Sequence, residues 1–259
     1  MLILKLTLVP FFLMLISLIG KRYGPARAGW MAGLPVIVGP ILLLMAVEHG
    51  APFAARAAHF TLASVFTVIT FGVAYSHAAR RYGWGGSLLC ALAAWLVAAV
   101  VVSRLPMSLS IVTAVALATL LLAPYLYPPY VLREAPSPLP TTELLLRMLL
   151  GAVLTYIVTT FATTVGETWS GIAALAPVLT PVLAVFILRR SGAPHAIVLL
   201  SNLARGLYSL LIFCFVVAWQ LAALGITRTF LFALTCAIVV QTATYFWRRQ
   251  SAKSTQANA

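Results

Sequence analysis

Nine stretches of almost uninterrupted apolar sequence follow one another along this chain, each close to the length of a bilayer crossing. They are Leu2–Ile19, Trp30–Val47, Phe60–Ala79, Gly86–Val102, Leu109–Tyr127, Leu144–Phe161, Gly171–Leu188, Ala196–Leu221 and Thr227–Trp247. A helix needs about 20 residues to cross a hydrocarbon core of ~30 Å. Every backbone N–H and C=O in that layer must be paired within the protein, so the runs are expected as helices. Spanning β-strands would show ~10-residue alternating segments instead. Composition agrees: 63% of the 259 residues are apolar and 8% are charged, far below the ~25% charge of an average soluble domain. The sequence predicts an all-α polytopic membrane protein with about nine transmembrane helices. The first run reads as a retained span, since no positive stretch precedes it and no small-x-small cleavage site comes before Lys21.

The net charge of +13 raises the question of nucleic acid. The positive residues form no stripe or tail, however. They sit in short clusters between apolar runs, which is the pattern of topology signals. With the N-terminus outside, the inner loops and helix ends hold Lys21, Arg22, Arg27, Arg80, Arg81, Arg133, Arg147, Arg189, Arg190, Arg248, Arg249 and Lys253. The outer side holds Lys5, Arg56, Arg104 and Arg228, a split of 12 to 4. The positive-inside rule therefore predicts the N-terminus in the periplasm and the C-terminus in the cytoplasm. Cys90, Cys214 and Cys236 all lie in apolar runs and read as small core residues.

Compared with itself at a shift of 142 residues, the chain aligns Gly24 with Gly166, Gly29 with Gly171, and Pro35-Val36 with Pro177-Val178. Gly50-Ala51-Pro52 meets Gly192-Ala193-Pro194, and Phe71 meets Phe213. From Gly24 to Val73 no gap is needed and 10 of 50 positions are identical. Glycine and proline punctuate helices, so their alignment in order carries weight. The expected organisation is two four-helix membrane repeats, residues 1–103 and 143–249. Residues 104–142 hold a connector helix and a Pro-rich cytoplasmic linker, and 250–259 form a disordered cytoplasmic tail. A single connecting span turns the second repeat upside down. The charges agree: Lys21 and Arg27 match Thr163 and Trp169, while Arg80 and Arg81 match Ala222 and Ala223. Inverted repeats of this kind are typical of secondary transporters.

Candidate site residues follow from what is costly or disruptive in lipid. Pro35 and Pro40 interrupt the second run, and Pro177 and Pro181 the seventh. Each removes a backbone hydrogen bond and frees a carbonyl. Arg205, in Ser201-Asn202-Leu203-Ala204-Arg205, lies about nine residues into the eighth run. A cation there costs a few kcal/mol and is expected to face the bundle interior, a water-filled cavity or an anionic partner. Alternatively it snorkels or fixes helix packing. Asn202 and Ser201 are spaced to share its face. Glu167 reads as a proton or cation site, or as a cap at the start of the seventh helix. No group of ligands has metal-site spacing, no phosphate loop is present, and no nucleophile and base emerge as a pair. The sequence predicts neither a cofactor nor a catalytic centre.

The first repeat has a first helix ending in a basic patch. Then comes Ala-Gly-x-x-x-Gly-Leu-x-x, here Ala28 to Val36, followed by a Gly-rich turn, a long third helix and a final helix, Ala91–Ala99. In this the chain resembles the small four-helix inner-membrane proteins of the GlpM type, as a doubled version, best over Leu2 to Ser103. The resemblance implies a bacterial inner-membrane location and a link to exopolysaccharide production. Two functions are expected from the whole reading. The first is a secondary transporter of a small anionic or amphipathic solute. The second is a non-catalytic membrane subunit or scaffold that partners an envelope-biosynthesis protein. Membrane lipids are partners in either case.

Overall fold

The structure, a computed structural model, describes residues 2–104, 108–132, 140–162 and 179–257. Glu167 and Pro177 lie outside the described residues. Among the described residues ten helices follow in order: α1 (Leu2–Tyr23), α2 (Pro25–Ala32), α3 (Val38–His49), α4 (Ala51–Ala78), α5 (Trp84–Arg104), α6 (Leu109–Leu126), α7 (Thr141–Ala162), α8 (Leu179–Ser191), α9 (Ala193–Leu224) and α10 (Ile226–Ala257). Among the described residues no strand occurs, and five helices are long and apolar enough to cross a membrane: α4, α5, α6, α9 and α10 as far as Thr244. The protein is a multi-pass membrane protein. The sequence runs were drawn shorter than two of these helices. α4 begins nine residues before Phe60 and α9 three before Ala196, because the small residues flanking Pro52 and Pro194 are as compatible with helix as the longer apolar ones.

Two expectations change. The second run is two helices rather than one, with residues 33–37 unwound between α2 and α3. Pro35 lacks an N–H and its ring collides with the carbonyl four residues back, and Leu34 before it is pushed out of helical geometry. Pro40 falls in the first turn of α3, where a missing N–H costs nothing, so it helps to start a helix instead of breaking one. At the other end, α10 runs through Ala257, past Gln250, where a disordered tail was expected. Between Gln250 and Ala257 the sequence holds no glycine or proline, so nothing there forces the helix to stop.

Helices α4 and α9 form the centre. About two thirds of the α4 span and half of the α9 span are buried, against 28% or less for α5, α6 and α10. Tyr75, Phe71, Leu62, Leu199 and Leu200 are among the fully buried side chains. On the outer helices large apolar residues such as Leu89, Val97, Leu149, Leu231 and Val239 face outward. A water-soluble monomer rarely exposes so much apolar surface, whereas acyl chains are a suitable solvent for it.

The two parts of the chain are laid out alike. α4 and α9 start at residues 142 apart, as do α5 and α10, and α3 and α8 end 142 apart. Contacts repeat in the same way. α4 packs on α5 as α9 does on α10, α3 on α4 as α8 does on α9, and α5 touches α8 as α10 touches α3. The remaining counterparts, α4 with α9 and α1 with α7, pack on each other. Those pairs run in opposite directions. Along α7, Arg147 meets Ser17 while Gly151 meets Leu13, so α1 descends as α7 climbs. Gly29, Gly33 and Gly39 meet Leu199, Gly206 and Phe213 in that order, so α2 and α3 run with α9. α4 doubles back along α3 from the corner at Gly50 and therefore runs against α9. Both corners leading into the central helices are built identically. Gly50 has φ 86 and ψ 164, Gly192 has φ 82 and ψ 176, and each is followed by Ala-Pro. That region of backbone space is essentially reserved for glycine, and the proline is pre-set for the first helical turn.

Candidate functional site

The ends of α1 and α8 and the starts of α2, α7 and α9 meet on one side of the bundle. Ser17 comes from the last turns of α1, in a position otherwise given to apolar residues, and is 3% exposed. Arg147 sits on the second turn of α7 and is 4% exposed. Its Nη1 donates to Ser17 Oγ at 3.1 Å, and its Nη2 donates to Glu143 Oε1 one turn earlier on the same helix. The second carboxylate oxygen of Glu143 accepts from Arg190 Nη1 at 2.6 Å, across to the end of α8. One carboxylate thus bridges two guanidinium groups, each oxygen serving one of them. Both arginines and the glutamate are at most 16% exposed. The Arg147 guanidinium also lies 5.1 Å from the centre of the Phe186 ring, a cation–π contact. Its Nε is buried and has no hydrogen-bond partner.

Beside this bridge lies a cavity of about 80 Å³, room for a few waters or a small solute. Ser17, Lys21, Arg147, Arg190 and His195 give it a polar, basic rim, and Ile16, Ala28, Leu183, Ile187 and Leu199 an apolar wall. A second, wider cavity of about 430 Å³ opens on the other side of the bridge, lined by Thr142, Glu143, Leu146, Phe186, Arg189 and Arg190. Arg190 is common to both, so the Glu143–Arg190 contact stands at the partition between them. Three cationic side chains, Lys21, Arg147 and Arg190, against one carboxylate leave the region positive. Planar guanidinium forks beside an ammonium are suited to hold a carboxylate or phosphate. Among the described residues no cluster of three or more His, Cys, Asp or Glu could hold a metal ion.

The residues singled out in the sequence occupy a second region, further along α9. Asn202 is 1% exposed, and its Nδ2 donates to Val198 O at 2.8 Å. Arg205 is exposed on the bundle surface, and its Nη1 donates to Asn202 Oδ1 at 3.2 Å. Ser201 bonds back to Val198 O at 3.2 Å and not to the arginine. The structure places Arg205 deeper than expected, as the 13th residue of α9. Its chain neighbour Gly206 lies against Trp30 and Gly33, at the edge of the unwound segment that contains Pro35. There Gln241 of α10 donates from Nε2 to Trp30 O at 3.1 Å, and Trp30 Nε1 donates to Thr244 Oγ1 at 3.3 Å. The break in the helix and the Arg205–Asn202 pair are therefore neighbours, whereas Pro40 lies beyond them in α3. Pro181 is buried near the start of the described part of α8, on the helix that ends in Arg190.

Sequence reasoning treated Arg147 and Arg190 as topology signals and passed over Glu143, Ser17 and His195. One signal was available: Glu143 and Arg147 stand at i, i+4 inside the start of an apolar run, where an ion pair is expensive unless it is used. The joining of Arg190 and Ser17 to that pair depends on three helices meeting and has no local trace.

No family model, no characterised protein and no solved structure matches this chain.

Proposed function

We propose that this protein is a secondary carrier of a small anionic solute, built from two inverted four-helix halves joined by α6. The observation that carries the anion is the basic cavity. It is formed by both halves together, with Ser17 and Lys21 from the first and Arg147, Arg190 and His195 from the second. A site shared between two halves that can rock against each other is the arrangement used in alternating access. The inversion is supported by the opposed directions of α1 and α7 and of α4 and α9, and by the paired helix contacts. In this reading α2 and α3 count as one broken span, and α1, α7 and α8 complete nine. Each half is then a unit of the GlpM-like kind, in a bacterial inner membrane with the N-terminus periplasmic. The basic cavity faces the cytoplasm. Arg205, ten residues further along α9 than His195 and about 15 Å away at ~1.5 Å per residue, faces the bundle surface beside the unwound segment and fixes packing through Asn202. Glu167, Pro177 and Pro181 belong to the matching region of the other half.

Purified protein in vesicles tests this. Saturable uptake of one member of a panel of radiolabelled small organic and inorganic anions is expected, reduced at least tenfold by Arg190→Gln. Absence of uptake across the panel, together with stable co-purification of an envelope-biosynthesis protein, would replace the carrier with the scaffold reading.

A further inference from the structure

The carboxylate of Glu143 occupies the donors that a substrate would need. Its two oxygens are shared between Arg147 Nη2 and Arg190 Nη1, as a free carboxylate would be if it bridged the same two groups. Glu143 reaches them from the side of the wider cavity, while Arg147 and Arg190 also line the smaller one. Arg147 is held as well by Ser17 and by the Phe186 ring, so it keeps its place when a partner leaves. Its buried Nε has no partner, which leaves one donor unused in the arrangement with Glu143. Two nearly buried guanidinium groups are strongly destabilised when the anion between them is removed.

We propose that Glu143 is a tethered stand-in for the transported anion, and that the anion is a small monocarboxylate with a short apolar tail. This rests on the carrier reading of the same site. An incoming carboxylate enters the smaller cavity, takes over the bridging positions on Arg147 and Arg190, and displaces Glu143 towards the wider cavity. The Arg190–Glu143 contact at the partition opens as the substrate binds. Ile16, Ala28, Leu183, Ile187 and Leu199 receive the tail. A phosphate would fill the donors but leave that apolar wall uncovered. In a volume of about 80 Å³ a chain of a few carbons fits.

The experiment measures binding of acetate, propionate, butyrate and inorganic phosphate to the full-length protein in detergent, by calorimetry and thermal shift at constant ionic strength. Wild-type protein is expected to bind butyrate more tightly than acetate. In Glu143→Gln, butyrate binding is expected to tighten at least fivefold, because the internal competitor is gone. Adding Arg147→Gln to that variant should reverse the gain at least tenfold. If Glu143→Gln folds poorly, butyrate should restore its melting temperature more than phosphate does. Glu143→Asp, which keeps the charge on a shorter tether, should bind with intermediate strength. Wild-type binding with no gain in either variant would overturn the exchange and leave the carrier reading standing. Phosphate bound in preference to butyrate, with no dependence on chain length, would overturn the monocarboxylate. Binding of no anion by any form would overturn the exchange and the anion site together.

Discussion

Along α2, the first half of the molecule meets the second through glycine. Gly29 lies against the Leu199 backbone and Gly33 against Gly206, main chain on main chain. Along α1, it meets the second half through Ser17, Arg147 and the bridge to Glu143 and Arg190. The first seam is defined by shape and tolerates no added atom. The second is defined by charge, with one carboxylate held between two guanidinium groups. Small residues that let helix backbones approach closely are a common device in membrane interiors, as are paired charges facing away from lipid. Here the two devices lie at different levels of one interface. Under the carrier reading, the shape-defined seam suits a fixed pivot, and the charge-defined seam suits a contact that is made and broken.

That contrast can be broken by substitution. The largest effect is expected at the glycine seam. Gly206→Leu drives a branched side chain into the Trp30 carbonyl and Gly33. It should abolish the monodisperse peak in size-exclusion chromatography, a loss of more than about 4 kcal/mol by the standard of severe mutants. Normal yield and elution would show that the seam is not shape-limited. Next comes Glu143→Met, which leaves Arg147 and Arg190 without their common counter-ion and should cost about 3 kcal/mol. The triple variant Glu143→Met, Arg147→Met, Arg190→Met should recover most of that stability in thermal melting while binding no anion, since an apolar core can replace a buried ionic one. Failure of the triple variant to recover would mean that the charges also specify the packing. Ser17→Ala removes one hydrogen bond from Arg147 and should cost about 1–2 kcal/mol. The smallest effect is expected at Gly83→Ala, where an added methyl meets nothing within 4 Å and stability should change by less than ~0.5 kcal/mol.

Much of the architecture is legible in the sequence because lipid leaves so few options. Apolar runs of bilayer length must be helices, and the order of Gly50-Ala51-Pro52 and Gly192-Ala193-Pro194 marks two corners that the structure builds identically. Pro35 was readable as a disruption for the same local reason. Local signals were less informative about how one residue is used among many of its type. Pro40 and Pro35 look alike in sequence, but one begins a helix and the other ends one, and only their position relative to the break separates them. Arg205 stood out because it is alone within an apolar run, yet it points to the surface and binds its own helix neighbour. Arg147 and Arg190 were overlooked because cations near helix ends are ordinary. Their role comes from α1, α7 and α8 converging, a fact of tertiary packing that residues 17, 143, 147 and 190 do not encode one by one.

The lengths of the central helices have a consequence for where the basic cavity stands. At ~1.5 Å per residue, the 32 residues of α9 measure about 48 Å, and even at a typical tilt of ~20° they overhang a ~30 Å hydrocarbon slab by about 15 Å. His195 is the third residue of that helix. With that overhang shared between the two ends, the cavity it lines stands near headgroup level, where its cationic side chains escape the cost that the hydrocarbon would impose on them.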